Sequence, residues 1–127
     1  MNRVDDLFPA SGEDIIRYQN DREIVHKTAL QLIKDFDRFG IEIRFPVDLG
    51  MAYNDLFDQL TPVIQEMLNI NHSTLYSLLY AIDLNEQTII RGAGEMTDLE
   101  MHEVIAHLLL ERELKKVITR EYFSRNK

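Results

Sequence analysis

The stretch MHEVIAHLLLERE, residues 101 to 113, decides how the chain is read. Two histidines and a glutamate invite a metal helix, and three consecutive leucines invite a core helix. Two histidines that share one ion from a helix sit four residues apart, which rotates them by only ~40°. His102 and His107 are five apart. The extra residue makes the rotation ~140° and sends them to different faces. Glu103, His107 and Glu111 are spaced by four along one side and remain the candidate metal ligands. Carboxylate-bridged bundles use an i, i+3 Glu–His pair on each of two helices, and only Glu23 and His26 have that spacing here. The competing reading of Glu103 and His107 is an ordinary contact on a helix face.

The leucines carry more information. Met101, Val104, Ile105, Leu108 and Leu109 share one face, whereas Leu110, Leu114, Val117 and Ile118 share another. The two faces differ by very roughly half a turn. Three arrangements fit a helix whose apolar side changes at Leu108–Leu110. Its own domain covers it on both sides, or it bends near Glu111, or its second half packs on another subunit. The third makes Leu110, Leu114, Val117, Ile118, Tyr122 and Phe123 an interface, with Lys115, Lys116 and Arg120 around it. Glu111–Lys115, Glu113–Lys116 and Glu121–Arg125 have ion-pair spacing, each worth only ~0.3 kcal/mol.

Working outward, the other segments are also helical. Val25, Ala29, Leu32, Ile33, Phe36 and Phe39 form one stripe, and Gly40 supplies the left-handed stop. From about Met51 to Asn69, Leu56, Phe57, Leu60, Val63, Ile64, Met67 and Leu68 form another. Pro62 falls opposite that stripe, so it either kinks the helix on its solvent side or starts a new one capped by Thr61. Leu75, Leu78, Leu79 and Ile82 mark a third stripe, with Tyr76 and Tyr80 on its flank. NEQTIIRGAG (85–94) reads as a short capped turn closed by Gly92 and Gly94. Thr97 with Glu100 has the spacing of a capping box, which predicts a last helix from Asp98 to about Phe123. IEIRFP (41–46) alternates like a strand, but no second strand is evident. It is read as an extended connector whose Ile41, Ile43 and Phe45 lie on the core, with pairing across a dimer as the alternative.

The expected fold is therefore all-α: a small bundle of four main helices plus one or two short ones, in a single domain over 1–127. Residues 1–10 are expected to be a loose arm broken by Pro9, and SGED (11–14) a helix start.

With 127 residues the chain is long enough for a core without staples. There is no cysteine, which removes disulfides, thiolate metal sites and cysteine nucleophiles. No G-x-S-x-G or glycine-rich phosphate loop is present. No N-terminal apolar run marks a secretory signal, and none approaches the ~18 residues of a membrane span. The cytoplasm is the expected compartment. Residues 112–127 hold six basic residues against two acidic ones, giving +4; with a net charge of -8 the remaining 111 residues carry -12. An acidic body repels phosphate backbones, so nucleic acid is not the expected partner.

LYSLLYAIDLNE (75–86) and LLLERELKKVITREYF (108–123) together resemble a pattern in short cytoplasmic bacterial proteins. These proteins combine a Leu-Tyr-x-Ile-Asp segment with a closing helix rich in Glu-Arg and Lys-Lys-Val. The likeness covers roughly the last two-fifths of the chain. It implies an all-α, cytosolic bacterial protein and carries over no catalytic residue.

The functional expectation is a non-catalytic interaction or regulatory module without a cofactor, working as a homodimer or on another protein. A metal-binding bundle or metal-dependent enzyme using Glu103 and His107 is the alternative. An acidic mimic of nucleic acid is the third.

Overall fold

A computed structural model describes residues 21–125 of the chain. The expected arm at 1–10 and the helix start at 11–14 lie outside these residues. Within them the fold is all-α, with five α-helices and no strand. α1 spans Arg22–Asp37, α2 Ala52–Ile70, α3 His72–Ile82, α4 Glu86–Glu95 and α5 Met101–Arg125. A 3-10 turn, Leu49–Met51, leads into α2.

Short side chains set most of the helix starts. Asp21 caps α1 by accepting from the backbone N–H groups of Glu23 and Ile24, which would otherwise lack partners. Asn71 ends α2 and caps α3 at the same residue, accepting from Thr74 N. Asn85 caps α4 through Thr88. Gly40 is left-handed at φ 72° after α1, as the sequence predicts. Asp83 takes the same conformation at φ 66° after α3. Its carboxylate and carbonyl both meet Arg112 of α5, contacts that hold a non-glycine residue in this sparse region.

α2 runs unbroken through Pro62, which sits on its exposed side. A proline there leaves the core stripe on one face. The start of α5 differs from the expected capping box. Glu100, not Thr97, precedes the helix, and Glu103 Oε1 accepts from Glu100 N at 2.9 Å. Only the reciprocal half of a capping box is formed, three residues further along the chain than the sequence suggests. The segment 85–94 is also more than a turn: α4 continues through both glycines. A Cβ on Gly92 would lie 2.8 Å from Leu108 Cδ1. Gly92 therefore lets α4 approach α5 closely and does not end the helix.

The connector 41–46 is extended and unpaired with any strand. Ile43 is buried, Ile41 packs on the core edge, and Phe45 is partly exposed against the ring of His26. Gln59 of α2 stands in for the missing strand. Arg44 N donates to Gln59 Oε1 at 2.8 Å, and Gln59 Nε2 donates back to Arg44 O at 2.9 Å. One side-chain amide thus answers both backbone groups.

α5 is the centre of the fold and packs mainly on α2 and α1, with α4 and α3 adding to its cover. Ile105, Ala106, Leu109 and Leu110 join the main core with α1, α2 and α3. Leu114, Val117 and Ile118 form a second cluster with Ile24 of α1. This corrects the expected interface. Leu110, Leu114, Lys115, Val117 and Ile118 are buried within the chain. Lys116 and Arg120 bond to α1 through Asp35 and Gln31. Tyr122 and Phe123 alone keep large exposed apolar surface. The physical reason is the change of face itself, because α5 meets cover on more than one side.

Two outcomes follow from this packing. Leu114→Asp combined with Ile118→Asp places unpaired carboxylates in the core and should abolish cooperative unfolding, a loss above about 4 kcal/mol; a folded monomer by circular dichroism and light scattering would contradict it. Gln59→Ala should cost about 1–2 kcal/mol and raise hydrogen exchange at the Arg44 amide, with little change at the caps of α1 and α3.

Candidate functional site

His107 points from α5 toward α2. Its ring lies 4.4 Å from that of Phe57 and 5.7 Å from that of Tyr53. The Tyr53 hydroxyl is 2.5 Å from His107 Nδ1. Burial, with the charge of Glu111 behind it, pushes the Tyr53 phenol up to about 12. Burial lowers the His107 imidazole, and the carboxylates of Glu103 and Glu111 oppose this only in part. The phenol therefore keeps its proton and the imidazole is neutral, and the two share one hydrogen bond whose direction follows the imidazole tautomer.

The metal candidates are not brought together as a set. Glu103 is engaged at the start of α5. Glu111 lies 3.5 Å from Lys115 Nζ. His107 spends Nδ1 on Tyr53. Among the described residues no group of three or more His, Asp and Glu side chains converges as an ion would require. His102 lies near Glu100, away from the Tyr53–His107 pair.

The strongest electrostatic feature was invisible to helical periodicity. Glu113 of α5 is 0% exposed, and Asp35 of α1 is buried beside it. Lys116 Nζ lies 2.7 Å from Glu113 Oε1 and 3.3 Å from Asp35 Oδ2. Gln31 donates to Asp35 Oδ1 at 3.0 Å and accepts from Arg120 at 3.0 Å. Burial, then the hydrogen bond to Asp35, pushes the Glu113 carboxyl up to about 8 against the pull of Lys116. Burial also raises Asp35, but the hydrogen bonds from Glu113 and Gln31 and the charge of Lys116 outweigh it and hold that carboxyl low. Of the two neighbouring carboxyls Glu113 is the one that holds its proton and Asp35 the one that is ionised, with Lys116 beside both. A protonated carboxyl beside a carboxylate is an acid–base pair in form. Here it is enclosed between two helices and serves packing.

The accessible features lie elsewhere. On the outer side of α3, Tyr76 is 67% and Tyr80 88% exposed. They flank a groove of about 350 Å³ whose floor includes Leu79, Leu84 and Ile89 and whose rim carries Asp83 and Glu86. The sequence placed both tyrosines on the flank of α3, but not the groove, which needs α4 beside them. At the far end of α5, Tyr122 and Phe123 meet edge to face at 5.4 Å and are largely exposed.

Glu113 makes the stability of the protein depend on pH with a definite sign. The unfolded chain releases this proton near 4.5, whereas the folded chain holds it to about 8. Between those values the native state binds more protons, so stability falls as pH rises, by up to about 1.4 kcal/mol per unit. Above the folded value the contribution is flat. Glu113→Gln retains a hydrogen-bond donor and does not titrate. Thermal unfolding should show its stability relative to wild type rising from pH 5 to about 8 and levelling off by pH 9; parallel curves across the whole range would refute the raised Glu113 carboxyl.

Comparison with known proteins finds no family model, no curated protein and no solved structure that matches the chain.

Proposed function

We propose that the protein is a non-catalytic interaction module of the cytoplasm that self-associates as a homodimer. The observation that carries this reading is the pairing of exposed aromatics with opposite charge. Tyr76 and Tyr80 border a groove with an acidic rim, on a body that carries -12 over 111 residues. Tyr122 and Phe123 stand in the basic stretch 120–127, which holds Arg120, Arg125 and Lys127 against Glu121; the other cations of α5, Arg112, Lys115 and Lys116, are held within the fold. Large exposed aromatics are the side chains that anchor protein interfaces. Each copy owns both halves of the contact, so two copies can exchange ends into grooves and close a two-fold pair.

This reading moves the docking surface from Leu110, Leu114, Val117 and Ile118 to the end of α5 and the face of α3. Its charge component makes association salt-sensitive. A cytoplasmic site accords with the lack of cysteine and with the finding that no helix among the described residues is long and apolar enough to cross a membrane. The metal-binding alternative has less support, because Glu103 and His107 are each engaged with other groups.

Sedimentation equilibrium over rising concentration is the direct test. The wild type should approach twice the monomer mass, and added salt should weaken the association. Tyr122→Ser with Phe123→Ser, and separately Tyr80→Ser, should each weaken it about tenfold or more while leaving the helical spectrum intact. A strict monomer at high micromolar concentration would end the proposal.

A further inference from the structure

The groove beside α3 has a rim with specific chemistry. Tyr76 and Tyr80 lie one helical turn apart, and both are exposed. Leu79, Leu84 and Ile89 line the groove with them. Asp83 and Glu86 stand at its edge, both exposed. Arg112 answers Asp83 from inside the fold at 3.2 Å, and Glu86 leaves that edge one negative charge in excess. Tyrosine rings next to carboxylates suit a guanidinium. Its plane stacks on a ring while its N–H fork meets the oxygens. An ammonium has neither the plane nor the fork.

The end of α5 cannot reach this groove in its own chain. Arg112 meets Asp83 at the groove, and Phe123 comes 11 residues later in the same unbroken helix. That places the tip ~16 Å further along, and a continuous helix does not turn back. On a second copy the tip carries the complementary groups. Arg120 and Phe123 are three residues apart, share one side of α5, and are both exposed. Arg120 gives one N–H to Gln31 at 3.0 Å, and a guanidinium has five. On the self-association reading, on which this rests, we infer that the groove is an arginine receptor. Arg120 of a second copy stacks on the exposed tyrosines beside Glu86, and Phe123 of that copy covers the leucine floor.

Two full-length variants isolate one such contact. Tyr122→Ser with Phe123→Ser keeps the groove and loses the end; Tyr80→Ser keeps the end and loses the groove. With tyrosine rings labelled in the first, titration with the second should shift the Tyr76 and Tyr80 resonances to saturation. Adding Arg120→Lys to the end donor should weaken binding about tenfold, and Arg120→Met at least as much. Gln31→Ala in the donor should leave binding unchanged, because Gln31 only holds Arg120 within its own chain. Unmoved tyrosine rings, an Arg120→Lys donor that binds equally well, or a loss with Gln31→Ala equal to that with Arg120→Met would each overturn the inference. Any of these with wild type still at twice the monomer mass leaves self-association standing; a strict monomer removes both.

Discussion

Covering α5 on more than one side is the constraint on which the rest of the fold depends. Its apolar residues change face at Leu108–Leu110, so a single neighbouring layer would leave half of them in water. α2 and α1 supply most of the cover, and Gly92 brings α4 close against Leu108. α1 lies antiparallel to the second half of α5. Lys27 pairs with Glu121, Gln31 with Arg120 and Asp35 with Lys116 down the seam. No residue between His102 and Thr119 is exposed, so some of the helix's polar residues must go inside. Glu113 is the clearest case. Its desolvation is offset by a retained proton, a carboxylate partner and a neighbouring ammonium.

The same economy of partners governs the connections. A chain without strands still has an extended stretch at 41–46, and the Gln59 amide satisfies the backbone of Arg44 in both directions. Asn71 closes one helix and opens the next, which sets α3 against α2 without a loop between them. Arg112 ties the left-handed Asp83 to α5. In each case one polar side chain does for the backbone what a sheet or a longer turn would do elsewhere.

The all-α class was legible because the stripes of α1, α2 and α3 are regular. Leu75, Leu78, Leu79 and Ile82 are all buried, as their spacing requires. The rest was hidden for physical reasons. Ile24 and Val25 are equally apolar, and only the path of α5 makes Ile24 the deeper of the two. Gly92 looks like a helix stop until a neighbouring helix needs the space its missing Cβ leaves. Thr97 and Glu100 carry a capping pattern, but so do Glu100 and Glu103, and local sequence does not rank them. Asp35, Glu113 and Lys115 read as solvated charges because periodicity locates the apolar side of a helix. It says nothing about polar residues once the helix is covered all around. The candidate ligands show the same limit: Glu103, His107 and Glu111 do run along one side, but capping, a phenol and a lysine engage them separately.

Tyr53 joins the pocket beside α1 to the contact between α2 and α5. It lines the pocket between α1, the 3-10 turn, α2 and α5, and its hydroxyl is hydrogen-bonded to His107. Burial keeps the imidazole neutral. Protonating His107 would place a charge next to the rings of Phe57 and Tyr53 in the α2–α5 contact. The burial that packs α5 on α2 is therefore the same burial that keeps His107 uncharged.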